Sequence, residues 1–351
     1  MGERKGWGRI AVTVAGGLLA AGMLARLAQH TDARAAFAAA SRAGPLVFAA
    51  LGPFVVGMAI DAWGLAVLLR ALGHRVTLAQ VLPVRLASEA LHVSVPAGFV
   101  ASDTATAVLL QSRCGVPVRD GVVASIARKW LVMRSHAVYI ALGAIAGFPA
   151  LLALSRALAG GGALPWIVLS SAAVPLTLSA GVSAGLLGRS TFSRLHGALA
   201  RIPSRRVARW LEARRHEAVT TDAQVRRLRG ARASTALASL AFLGCWCVEA
   251  LESALLLRLV GADVSLPAVF AIEAGLSLVR SAVVVLPSGL GPVDLGYATV
   301  LPLLGTDAGA APAFVLLKRA KEVVWVLVGY ALLSARSRRA GASSAAATPA
   351  V

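Results

Sequence analysis

Charge is scarce in this chain, and negative charge scarcer still: 15% of its 351 residues are charged, with 16 Asp and Glu against 35 Lys and Arg. A soluble domain is nearer one quarter charged, which excludes the ordinary globular class. Aromatic residues are few, at 5%. The arginines are therefore not interleaved with stacking rings, and nucleic acid is not expected as a partner despite a net charge of +19. Three cysteines, Cys114, Cys245 and Cys247, are too few and too apolar in setting for a disulfide framework. Cys245 and Cys247 form a Cys-x-Cys, yet no His or acid joins them at ligand spacing, so they read as small helix residues and no metal is expected. A Ser-His-Asp order, a P-loop and a dinucleotide fingerprint are missing, and no polar segment is long enough for a catalytic domain. Neither an enzyme nor a cofactor is expected.

What the chain does have is grease. Hydrophobic residues make up 58% and mean hydropathy is +0.75. Apolar stretches of about twenty residues, the length that crosses a ~30 Å hydrocarbon core, recur along it. They fall at 10–28, 44–72, 127–150, 163–187, 234–260 and 310–334. Their helical length and the lack of alternating strands exclude a β-barrel. The start, "MGERKGWGRIAVTVAGGLLAAGML", reads as an uncleaved first helix, with a cleaved signal peptide as the alternative.

Two further apolar segments, 77–112 and 266–305, are broken by "HVSVPAGFVASD" and "VVVLPSGLGPVD". The breaks belong to a longer internal likeness. Residues 61–81 and 249–269 are identical at nine of twenty-one positions with a constant offset of 188, including Arg70 with Arg258 and Gly73 with Gly261. At an offset of 191, Pro96 meets Pro287, Gly98 meets Gly289, Asp103 meets Asp294 and Arg128 meets Arg319. An ordered series of this kind reads as a duplication.

Orientation follows from the basic residues. Arg4, Lys5 and Arg9 hold the N-terminus in the cytoplasm, and the insert between 189 and 232, with a dozen arginines and three acids, belongs there too. That insert reads as a helical interfacial loop. The count closes if each broken segment enters and leaves on one face. The two segments then dip from opposite faces, as an inverted-topology repeat, the sequence pointer to a transporter site.

The expected architecture is an all-α polytopic membrane protein with about six full spans and two re-entrant helical hairpins in an inverted repeat. Residues 1–43 hold the N-terminal helix and an external loop, 44–150 repeat one, and 151–233 a connecting span and the basic cytoplasmic insert. Residues 234–335 form repeat two, and 336–351 a disordered cytoplasmic tail. The expected location is the inner (plasma) membrane, with both termini cytoplasmic.

The candidate site gathers at the breaks. Proline ends a helix and glycine permits the turn, so new helices are expected near Ser102 and near Pro292, past Gly291. Their N-termini offer free N–H groups to an anion. Asp103 and Asp294 stand beside them as caps or counter-charges. Arg128, Lys129, Arg134 and His136 lie in one apolar span, and Lys318, Arg319, Lys321 and Glu322 in another. Buried cations at a helix centre cost roughly 2.5–3.5 kcal/mol each, so they are expected to face a wet, positively charged pocket. Lys318 and Glu322, four apart, are expected to pair. Asp61, Glu89, Glu249, Glu252 and Glu273 are the expected partners of Arg70, Arg85, Arg258 and Arg280, and His92 is expected to line the cavity.

"VLPSGLGPVDLGYATVLPLLG" followed by "APAFVLLKRAKEVVW" resembles the C-terminal signature of the lysylphosphatidylglycerol synthase transmembrane region, a flippase-like membrane family. The residues that carry it are Pro287, Gly289, Gly291, Asp294 and Arg319, with Pro96, Gly98 and Asp103 matching an earlier element. The resemblance covers most of residues 10–335 and departs from the family where glutamate is usual at Asp294. The family's first element often runs acid then arginine a few residues on, and here Thr106 and Val108 occupy that neighbourhood. It implies work on a membrane lipid with an anionic headgroup, phospholipid or polyprenyl phosphate, and no lysine transfer. The alternatives are a non-transporting accessory of a lipid- or glycan-building enzyme, and an ion-coupled carrier of a small solute. A second copy of the chain or a membrane enzyme are the protein partners left open.

Overall fold

The computed structural model describes Ala38 and residues 44–95, 98–186, 215–282, 291–307 and 309–346. The span expected at 10–28, Pro96, Pro287, Gly289 and much of the basic insert lie outside the described residues. Within them the chain is all helical, with no strand. A 3-10 segment, Gly44–Leu51, leads into α1 (Gly52–Ala71). There follow α2 (Leu78–Ser94), α3 (Gly98–Cys114), α4 (Val118–Ala146), α5 (Phe148–Ala159), α6 (Leu164–Ser171) and α7 (Ala173–Leu186). Beyond the insert come α8 (Arg215–Gly230), α9 (Arg232–Leu259), α10 (Leu266–Ala282), α11 (Pro292–Leu303) and α12 (Ala310–Ala346).

Among the described residues, three helical stretches are long and apolar enough to cross a membrane: Gly44–Ala71, Leu164–Gly181 and Arg232–Leu259. A fourth exists if α4 and α5 count as one span, for they pass together but bend by 78°. The apolar run 127–150 reads as a single span. Gly147 and Pro149 end it instead: proline in the first turn of α5 cannot continue the α4 ladder. The helix α12 falls outside this set although it spans 37 residues, because Lys318, Arg319, Lys321 and Glu322 interrupt its apolar run. It also continues past residue 336 to Ala346, in an alanine-rich stretch expected to be disordered.

The surface is apolar and the interior partly charged, the reverse of a water-soluble protein. Phe48, Ile145, Trp166, Leu240 and Leu295 are exposed, whereas Arg85, Glu252, Glu273, Lys318, Arg319 and Lys321 are buried. Such an arrangement is stable only with lipid outside and paired charges within.

The two stretches related by the 188 offset fold alike. Gly73 and Gly261 both have positive φ, +98° and +82°, and end α1 and α9 with the same turn. In the first, Gly73 N–H donates to Arg70 O at 2.9 Å and His74 N–H to Leu69 O at 3.0 Å. In the second, Gly261 N–H donates to Arg258 O at 3.0 Å and Ala262 N–H to Leu257 O at 2.9 Å. The helices α1 and α9 pack along their lengths and run antiparallel, since Gly57 meets Val248 while Gly64 meets Phe242 and Ala241. Where they cross, Cys245 Sγ lies 3.4 Å from Gly57 O, and these residues are themselves 188 apart.

The remaining helices exchange partners. The helix α4 packs on α10, and α12 packs on α2. Both contacts run through glycines that bring helix backbones together. A Cβ on Gly143 would lie 2.9 Å from Phe270 O, and one on Gly329 would lie 2.4 Å from Ala90 Cβ and 2.7 Å from Leu86 O. Gly329→Val is therefore expected to cost about 1–3 kcal/mol by overpacking. Thermal unfolding in detergent should show a clear loss, while Gly181→Ala, with nothing within 4 Å of its added Cβ, should show none. The helix α8 packs against α4 and α1, burying Val225 and Leu228 in the first-half core and setting Arg227 beside Gly73.

Candidate functional site

A cavity of about 500 Å³ lies where the two halves meet, walled by α1 to α4 on one side and by α9, α10 and α12 on the other. Each half contributes its own ion-pair cluster. In the first, Asp61 of α1 accepts from Arg85 Nε at 2.5 Å and from Arg128 Nε and Nη2 at 2.9 and 2.6 Å. Arg85, 1% exposed, is completed by Thr106 Oγ1 and Glu89, both at 3.3 Å. In the second, Arg280 Nη1 donates to Glu249 at 2.6 Å, and Lys321 pairs with Glu252. Lys318 Nζ donates at 2.8 Å to each of Glu273 Oε1, Ser253 Oγ and Tyr297 Oη.

The acids named from the sequence thus find buried cations. Arg85 and Arg280 take acids as expected, whereas Arg70 donates to Val76 O and Arg258 is exposed. Lys318 does not pair with Glu322. It points inward to Glu273, and Glu322 instead accepts from Arg319 Nη1 at 2.6 Å. The i,i+4 rule describes pairs on a helix surface, and Lys318 faces α9 and α10.

Asp61 and Glu249 occupy equivalent positions, and each holds an arginine over the cavity. Position 85, an arginine, corresponds to 273, a glutamate, so the sign of that buried charge is exchanged between halves. The lining carries six basic side chains (Arg85, Arg128, Lys129, Arg280, Lys318, Lys321) and six acidic ones (Asp61, Glu89, Asp103, Glu249, Glu252, Glu322). The pocket expected to be positive is instead charge-balanced. Burial explains this: each cation in low dielectric needs a carboxylate.

Of the residues proposed for the site, Gly98, Asp103, Arg128 and Lys318 line this cavity, as does His92. Arg128 turns inward to Asp61. The first broken segment restarts as a helix at Gly98, four residues before Ser102, because the backbone folds back tightly there: a Cβ on Gly98 would lie 2.4 Å from His92 O. Asp103 consequently sits beyond the first turn. It serves as partner to Lys129 at 2.5 Å rather than as a cap.

Gly291, Asp294 and Arg319 form a separate cluster outside the cavity lining. Gly291 has φ +90°, and Asp294 Oδ2 accepts from its N–H at 3.0 Å, capping α11 as the sequence suggested. Arg319, 3% exposed, clamps Asp294 Oδ1 with Nε at 2.9 Å and Nη2 at 2.6 Å. The amide expected to receive an anion already has one in Asp294.

Arg280, from its sequence context a structural partner for an acid, lines the cavity. A signal for it existed, for Arg280 stands 188 residues after His92, and both line the cavity. His136 joins the walls together: its ring stacks on Trp246 at 4.1 Å and its Nε2 is 2.8 Å from Ser277 Oγ. Tyr297 Oη donates to Glu273 at 2.6 Å while receiving Lys318. Tyr297→Phe is expected to cost about 1–3 kcal/mol, since it removes one donor from a buried carboxylate and one acceptor from a buried ammonium. Unfolding in mixed micelles would measure it.

Apolar flanks, spanning helices and a buried charged cavity define an α-helical integral membrane protein. Residues 12–329 match the family described as the lysylphosphatidylglycerol synthase TM region, and the chain belongs to that family. No curated protein and no solved structure matches the chain.

Proposed function

We propose that this protein is a membrane lipid translocase. It binds the anionic headgroup of a phospholipid or polyprenyl phosphate in the cavity between two inverted repeats, while the hydrocarbon chains stay in lipid. The observation that carries this reading is the pair Arg128 and Arg280, one from each half, facing the shared cavity. Each guanidinium gives one carboxylate its hydrogen bonds, Arg280 Nη2 also lies 4.0 Å from Glu273 Oε2, and among the described residues nothing accepts a hydrogen bond from Arg128 Nη1 or Arg280 Nε. Guanidinium suits a phosphate because it presents several N–H donors in one plane.

The inverted repeat is supported by the antiparallel α1 and α9, their matching end turns, and the meeting of equivalent residues Gly57 and Cys245 at the crossing. An element that meets its own counterpart antiparallel is what a two-fold axis in the membrane plane requires. The reciprocal packing of α4 on α10 and α12 on α2 supports it too. Rocking of one half against the other would open the cavity to each leaflet in turn. In this scheme α2–α3 and α10–α11 are re-entrant hairpins, Lys318 tunes the cavity charge, and Arg319 fixes α11 against α12. Catalysis of a covalent step is not part of the role.

A second reading, an ion-coupled carrier of a small solute, draws support from the six carboxylates around the cavity. Exchange of a fluorescent anionic lipid between leaflets of reconstituted vesicles separates the two. A translocase accelerates it without a gradient, and Arg128→Gln with Arg280→Gln abolishes it. A carrier leaves lipid exchange at the protein-free rate and shows solute uptake driven by a pH gradient.

A further inference from the structure

The cavity lining is neutral in sum, six basic side chains against six acidic ones. Arg128 and Arg280 offer an anionic headgroup N–H donors, yet their charge is already spent on Asp61 and Glu249. A phosphate entering this space adds one uncompensated negative charge, which is costly away from water. A cation has to accompany it. His92 is placed to become that cation. It lies in the last turn of α2 and lines the cavity. It stands 188 residues before Arg280, so the position that holds a fixed cation in the second half holds an imidazole in the first. Among the described residues, the His92 ring makes no hydrogen bond, ion pair or ring contact. The cavity's other histidine is engaged, for His136 stacks on Trp246 and its Nε2 meets Ser277 Oγ. On α2 and the helices packed against it, the charged groups sharing the cavity with His92 are Arg85 and Glu89 of α2, Asp61 of α1, Asp103 of α3, and Lys318, Lys321 and Glu322 of α12. Each of these is held in an ion pair. Histidine is also the side chain that gains and loses its charge near neutral pH.

We propose that His92 binds a proton that travels with the headgroup, so that one anionic lipid and one proton cross together with no net movement of charge. The inference rests on the lipid-translocase reading and adds its coupling ion. The imidazole takes a proton from water on the side where the headgroup enters. It returns that proton to water on the side where the headgroup leaves. Only an N–H bond forms and breaks, and the cavity stays neutral while it is occupied.

The test uses the full chain in phosphatidylcholine vesicles with trace fluorescent phosphatidylglycerol, whose phosphodiester stays ionised near neutral pH. A membrane-impermeant quencher reads how the probe divides between leaflets. With the potential clamped at zero, a gradient of about one pH unit should gather the probe about tenfold in the leaflet facing the alkaline side. At equilibrium the product of proton activity and lipid density is equal on both faces. An imposed potential of either sign should leave the wild-type distribution unmoved. His92→Gln should lose the accumulation. In His92→Arg, where the charge is fixed, the distribution should ignore the pH gradient and follow the potential, which acts on each charge moved. The wild-type measurements decide the coupling without any variant. A wild-type distribution that follows potential or a sodium gradient, and not the pH gradient, overturns the proposal. So does pH-driven accumulation that persists in His92→Arg. Exchange at the protein-free rate refutes the translocase reading and the coupling with it, whereas fast exchange with no response to the pH gradient refutes the coupling alone.

Discussion

Lys318→Met is expected to lower unfolding stability by about 3–5 kcal/mol, as removal of one partner from a buried ion pair does. Lys318 is 6% exposed, and its ammonium is met by one carboxylate and two hydroxyls. Without it, Glu273 keeps the hydroxyls of Ser253 and Tyr297, both at hydrogen-bond distance, but loses its close cation and is left with Arg280 Nη2 at 4.0 Å. The double variant Lys318→Met with Glu273→Gln should recover much of the loss, because a neutral buried pair escapes the penalty of an isolated charge. The measurement is a double-mutant cycle of unfolding free energy in mixed micelles. Additive losses would mean that Lys318 and Glu273 do not interact in the folded protein.

The second large effect is on transport. Arg128→Gln and Arg280→Gln should each slow leaflet exchange of an anionic lipid by about 10- to 100-fold, the loss expected when hydrogen bonds to a charged group are removed. The two should be alike although the residues stand on different helices, since in the proposed translocase one headgroup bridges them. Folding should survive better in Arg280→Gln, whose side chain is 30% exposed against 17% for Arg128. Arg128 also balances Asp61 together with Arg85, so Arg128→Gln with Asp61→Asn is the informative partner variant. If exchange persists in both single variants, the headgroup is held elsewhere.

Much of this architecture was written in plain sight. The spans at 44–72 and 234–260 appear almost as read, because long apolar runs bounded by arginines admit one interpretation in lipid. The Gly73 and Gly261 turns were visible through the offset that pairs them. The bend at Gly147 was missed: "GFP" announces a break, but its geometry comes from α10, where a Cβ on Gly147 would lie 2.4 Å from Pro267 O. Likewise Asp103 and Asp294 occupy matched positions, yet only Asp294 caps a helix, because α3 begins at Gly98 and α11 begins two residues before its acid. Neighbouring residues on α12 also diverge. Lys318 and Arg319 sit about 100° apart around a helix, so one looks into the cavity and the other toward α11. Sequence spacing gave the distance along the helix, and the third dimension decided the partner.

Labelling of engineered thiols tests the inverted arrangement most directly. Arg75 and Asp263 are equivalent, exposed residues in the two matching turns, and each would be changed to cysteine after removal of Cys114, Cys245 and Cys247. A membrane-impermeant maleimide should reach the residue-75 thiol only from the side that carries α8, and the residue-263 thiol only from the other side. Labelling of both from one and the same side would contradict the account.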